Sequence, residues 1–188
     1  MFDFVKELIA CRVEGTQFPF YPEKVQGYSE QEVELIAEKC NLDIHGQFRE
    51  FLLQMGRCSG GLLLGDEFAI YNNNWSLNDF YNYQTLAKVD DGFMLTEFGE
   101  MDPVQEKVFF LSTECETYYH YLLTAENDDY VWLQHDDGNG EGEILKKTNL
   151  TLLEYFKQCV ENKTKMTRFI DFELTEEQMD SLITGKLL

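Results

Sequence analysis

Proline is scarce in this chain, 3 in 188 residues, and its five cysteines include no C-x-x-C pair. With no low-complexity tract and aromatics at 14%, the composition is not that of a disordered chain. The cysteine number is odd, and at least three of Cys11, Cys40, Cys58, Cys115 and Cys159 fall on apolar positions of the patterns below. Reduced, mostly buried thiols in a cytosol are the expectation. Long apolar runs are also missing: none approaches the roughly 18 residues of a transmembrane helix. The opening "MFDFVKELIACRVEG" sets Asp3, Lys6 and Glu7 where a signal peptide would be apolar, so no secretory leader is read and a cytoplasmic location is expected.

Bases are scarce as well. Lys+Arg number 15 against 35 Asp+Glu, a formal net charge of −20 and a pI near 4.3. Such a field repels phosphate backbones and anionic headgroups, which disfavours nucleic acid and membrane as ligands and favours basic partners. Solubility alone is the plainer use of the same charge. Histidine is scarce too, with only His45, His120 and His135, none at H-E-x-x-H spacing, and no G-x-S-x-G, P-loop or G-x-G-x-x-G is present. A pairing of Cys58 with one of these histidines is left open by the sequence, but the expectation is no enzyme, no catalytic residue, no metal and no cofactor. His135 beside Asp136 and Asp137 reads as a hydrated surface residue.

What is present is a series of capped amphipathic segments in a chain long enough for one domain. Ser29 and Glu32 stand at capping-box spacing, followed by Val33, Ile36, Ala37 and Cys40 at helical period. Phe48, Phe51, Leu52 and Met55 repeat that period, with Gly56 where a left-handed C-cap would end the helix. Asp43 is positioned to cap this second helix through its carboxylate. Gly60 and Gly61 then lead into a run in which Phe68 and Ile70 alternate with Ala69 and Tyr71, read as the first strand of the sheet. The segment 75–89 reads as a helix with Ser76 and Asp79 at its start.

Residues 107–112, 117–124 and 129–135 read as consecutive antiparallel strands, and "ILKK" as a short fourth. A further box, Thr151 with Glu154, opens a helix with Leu152, Phe156, Cys159 and Val160 on its buried stripe, and Thr175 with Gln178 opens one in the tail. The tail is read as a strand and a helix. The fold class expected is a single-domain α+β protein, a mostly antiparallel sheet with helices packed against it. Residues 1–27 form an N-terminal helix and arm, 28–162 the main domain, and 163–188 an extension docked on it.

The segment "HDDGNGEGE", 135–143, has the oxygen and glycine rhythm of a calcium loop. A loop starting at Asp137 would need a bidentate Glu at its twelfth position, which is Thr148, and helices on both sides, where a strand precedes it. It is better read as a permissive acidic turn.

The order "EVELIAEKCNL", "FREFLLQMG", "GG", strand, then "VFFLS", "NDDYVWL" and "NLTLLEYF" resembles the SUKH superfamily, which contains Smi/Knr-type yeast regulators and bacterial immunity proteins of polymorphic toxin systems. The likeness covers roughly residues 28–162 and rests on Leu42, Phe48, Phe51, Leu52, Gly56, Gly60, Gly61 and Trp132. Where the family usually has Leu-Pro between its paired helices, this chain has Leu42 followed by "DIHG".

The resemblance implies a non-enzymatic module that neutralises a cognate toxin, basic and nuclease-like, by direct binding in the cytoplasm. Regulatory or scaffolding binding to a housekeeping protein is the other function the family implies. Acids concentrate between 90 and 143, fifteen against Lys107 alone, or 1 − 15 = −14. Asp128, Asp129, Asp136, Asp137, Glu141 and Glu143 are the candidate partner-binding residues, against the alternative of a solvated rim that keeps strand edges apart. Trp132 is expected in the core.

Overall fold

The computed structural model describes residues 3–12, 19–64, 67–71, 94–114, 117–135, 144–166 and 175–188. Local capping starts most of its helices. The Asp3 carboxylate accepts from the Lys6 N–H and opens α1, Phe4–Ala10. Ser29 and Glu32 satisfy each other's backbone amides at the start of α2, Glu30–Cys40, which ends on Asn41 in the left-handed region at φ 52°. Asparagine is one of the few residues that visit this region routinely. The boxes at Thr151 and Thr175 open α4, Leu152–Met166, and α5, Glu176–Ile183.

The intervening helix α3, Gly46–Met55, starts differently from expectation. Its N-cap, His45, makes no side-chain cap, and Asp43 does not supply one: the Asp43 carboxylate pairs with Lys107 Nζ at 2.6 Å. Gly56, expected in a left-handed cap, has φ −61°. Glycine is required there for room instead, since a Cβ would lie 2.9 Å from the Leu52 backbone and the Tyr28 ring.

Two antiparallel sheets follow. β1, Met94–Thr96, and β2, Gly99–Met101, form a hairpin. β3, Val108–Glu114, β4, Tyr118–Leu123, β5, Tyr130–His135, and β6, Lys146–Thr151, form a four-stranded sheet in sequence order. The three expected consecutive strands are present. The fourth begins two residues after Ile144 and runs through "NLT".

The strand expected at 68–71 is not one. These residues make turns with a single bridge, Phe68 to Ser112, and all four are buried, so their alternation does not mark an in and an out face. The expected helix at 75–89 and the strand proposed ahead of α5 lie outside the described residues, apart from the residues flanking them.

Helices α3 and α4 cover one face of the large sheet. Phe48 meets Phe109 at 4.7 Å between ring centroids, and Tyr155 reaches Ser112 and His120. The opposite face carries Phe110, Tyr121 and Trp132, also buried, so burial of one set of β4 side chains does not expose the other. One cluster joins both faces, and it includes Phe4 and Leu8 of α1 and Leu187 near the C-terminus. Phe4 packs on Phe51 and Phe156, and the Leu187 N–H donates to Tyr28 Oη. The helix of the N-terminal arm and the end of the tail are thus parts of the same core. The stripes read from the sequence are buried, except that Ala37 and the described thiols Cys11, Cys40, Cys58 and Cys159 are only half-buried; these four form no disulfide with one another.

Candidate protein-binding site

The end of the sheet where β4 turns into β5 holds two of the acids that the sequence singles out, Asp128 and Asp129, beside Glu126. Asp129 Oδ1 accepts from the Gln47 N–H at 2.6 Å, so it caps α3 from another element. Gly46 at φ +52° makes this possible: a Cβ there would overlap the Asp129 carboxylate. In return the Gln47 side chain, buried inside α3, accepts from the Leu153 N–H at 2.8 Å, and the Asp129 carbonyl accepts from the Leu152 N–H. Two helix N-termini, each with orphan amides, are thereby satisfied by one cross-brace.

Asp128 has a different setting. Its Oδ1 accepts from the Tyr130 N–H, and its Oδ2 lies 2.5 Å from Lys147 Nζ, which also meets Glu126 Oε2 at 2.9 Å. Lys147 stands opposite Trp132 in the β5–β6 register, with its ammonium 5.4 Å from the ring centroids of both Tyr130 and Trp132. Burial pulls the Lys147 pKa down, but hydrogen bonds to Asp128 and Glu126 outweigh it and hold the ammonium above its ordinary value.

The hairpin β1–β2 leans on this corner. Thr96 bridges Leu145 in parallel, and the Lys147 N–H donates to Glu97 Oε1 at 3.3 Å. At the hairpin tip the Thr96 hydroxyl donates to the Gly99 carbonyl and accepts from the Phe98 N–H, which presents Phe98 outward at 80% exposure, edge-on to Trp132 at 6.4 Å. Leu95, Tyr130 and Ile144 are exposed nearby. An exposed apolar group rimmed by Glu97, Glu126 and Asp128 has the make-up of a protein-binding patch.

Two concavities bracket the corner. One, lined by Asp43, His45, Thr124 and Asp129 among others, holds about 10 Å³, room for about one water. The other is an open groove of about 330 Å³ bordered by Tyr130, Lys147, Thr148 and Asn149.

Of the six candidate acids, Asp128 and Asp129 flank this corner, both already engaged within the chain, whereas Asp136, Asp137, Glu141 and Glu143 lie outside the described residues. Trp132 is buried at 3%, as expected, though on the face away from the helices, and its Nε1 has no hydrogen-bond partner among the described residues. Phe98 and Lys147 were not among the sequence candidates. The signal for Phe98 was its place in "TEFGE", an aromatic before a glycine between two acids, where Gly99 takes φ +122° in the hairpin turn.

Buried between the paired strands β3 and β4 and helix α4, Ser112 Oγ, Tyr155 Oη and His120 Nδ1 form a chain with steps of 2.7 and 3.2 Å. Desolvation lowers the His120 pKa to about 4 and lifts that of Tyr155 well above its usual range. Ser112 is fully buried, and this chain of hydrogen bonds satisfies core polar groups. His45 Nε2 donates to the Thr124 carbonyl, and His135 stacks on Tyr118.

The class that fold and corner define is a single-domain α+β protein with an acid-rimmed apolar patch; no helix among its described residues is long and apolar enough to cross a membrane. Compared with known protein families, curated proteins and solved structures, the chain matches none.

Proposed function

We propose that this chain is a non-enzymatic protein-binding module of the SUKH immunity type, which neutralises a basic, nuclease-like toxin in the cytoplasm by covering its phosphate-binding surface. The observation that supports it most is Phe98, 80% exposed at the tip of a hairpin whose surroundings carry Glu97, Glu126 and Asp128. Large aromatics bound as anchors supply much of the energy of protein interfaces, and acids around them select basic partners and speed encounter. A net charge of −20 adds long-range attraction of the same sign.

The test is affinity capture from the native host with the tagged chain, followed by protection of cells expressing the captured protein. Phe98→Ala should fold with stability within about 0.5 kcal/mol of the parent, because exposed positions seldom matter more. Its binding should weaken by at least about tenfold, the scale of a hot-spot loss. Full protection and unchanged affinity in that variant would place the interface elsewhere, and capture of a non-toxic housekeeping protein would favour a regulatory role.

A further inference from the structure

The corner beside Phe98 already holds a cation. Lys147 Nζ lies 2.5 Å from Asp128 Oδ2 and 2.9 Å from Glu126 Oε2, with the Tyr130 and Trp132 rings each 5.4 Å away. Two carboxylates and two π faces converging on one ammonium are the recognition set for a lysine or arginine side chain. Its outer members are reachable: the side chains of Lys147, Glu126 and Asp128 are 28%, 31% and 33% exposed, and Lys147 and Tyr130 border the open groove of about 330 Å³, with Trp132 buried beneath them. The same indole carries a separate mark of an unfilled contact, since Trp132 Nε1 is buried with no acceptor among the described residues. An N–H left in that condition is costly.

Lys147 is tethered by its own strand and bridged to both acids, so it competes with any incoming cation. A lone ammonium gains little by replacing it. A protein segment that brings several bases, together with an apolar contact on Phe98, gains enough to displace it into the groove.

We infer that Glu126, Asp128, Tyr130 and Trp132 form a receptor for a lysine or arginine side chain of the basic partner, closed in the free protein by Lys147. This deepens the binding role proposed above and rests on it. Lys107 offers an internal control, because it too pairs with an acid, Asp43 at 2.6 Å, and no ring lies over its ammonium among the described residues.

The experiment titrates a fluorescent deca-lysine peptide at low ionic strength into the full chain, Lys147→Met, Lys107→Met and the double variant Lys147→Met/Tyr130→Ala. Both lysine variants raise the negative charge by one. Lys147→Met should bind about tenfold tighter and Lys107→Met less than about twofold tighter, the latter being the scale of a surface charge. Adding Tyr130→Ala should remove most of the gain at constant charge. In the parent chain, the indole N–H resonance of Trp132 should shift on titration. Equal gains from the two lysine variants, or an indole resonance that does not move, would overturn the receptor.

If Lys147→Met fails to fold, Lys147→Gln and the indole shift carry the same comparison. The two proposals fail separately. A positive peptide result with full protection by Phe98→Ala removes the interface proposed above and keeps the receptor; the converse keeps the interface and removes the receptor.

Discussion

Asp129 of β5's approach and Gln47 of α3 stand 82 residues apart and cap helices for each other: Asp129 Oδ1 accepts from the Gln47 backbone at 2.6 Å, while the Gln47 side chain accepts from Leu153 just after Asp129's carbonyl has taken Leu152. This fixes the angle between α3, α4 and the acidic turn.

Asp129→Ala should lower the unfolding free energy by about 1–2 kcal/mol, the usual worth of an N-cap. Asp129→Asn keeps an acceptor oxygen and should lose less. Urea unfolding followed by circular dichroism measures both, and equal midpoints for the parent and the alanine variant would show that the cap contributes nothing.

Gln47→Leu keeps the volume but strands the Leu153 amide in a buried site. A loss of about 1–3 kcal/mol is expected from that unsatisfied donor. Combined with Asp129→Ala, the two effects should be non-additive by at least about 0.5 kcal/mol, because both act on one junction. Strict additivity in a double-mutant cycle would mean the two caps work independently.

His120 links stability to pH. Its folded pKa, about 4, lies below the ordinary 6.5 because burial opposes the charged ring. Between those values the unfolded chain takes up a proton that the native chain refuses, so this contribution is complete above pH 6.5 and fades as pH falls towards 4. Going from pH 7 to pH 5 should cost about 2 kcal/mol through this residue. Carboxylates titrate in the same direction, so the measurement is the difference between the parent and His120→Phe; identical slopes in the two would remove His120 as the cause.

Gly56→Ala should destabilise by about 1–3 kcal/mol through overpacking against Leu52 and Tyr28, despite an ordinary helical φ. Thermal melts test this, and an unchanged midpoint would mean that the neighbouring backbone yields freely.

The helices were legible wherever the signal was local. Ser29–Glu32, Thr151–Glu154 and Thr175–Gln178 sit three residues apart, and each forms the expected exchange. The three central strands were legible from their β-branched and aromatic runs between acidic turns. Misreadings arose where the deciding partner lies far along the chain. Asp43 is well placed to cap α3, yet Lys107 draws it away and Asp129 takes the role. Residues 68–71 alternate like a strand, yet burial on all sides makes their order uninformative.

The candidate site followed the same division. Its acidic character could be read from the count of charges, and Asp128 and Asp129 do stand at the hairpin turn. Their engagements could not be read, because an ion pair and a cap depend on which side chains the register brings opposite them. By itself the sequence determined the capped helices, the antiparallel strands, the α+β class and the sign of the electrostatic field, all properties of neighbours or of totals. Only the tertiary structure decided that Asp129 serves a helix, that Lys147 occupies the acids and rings beside it, and that Phe98 stands in solvent. Those outcomes depend on contacts between residues tens of positions apart, which strand register and helix docking choose together.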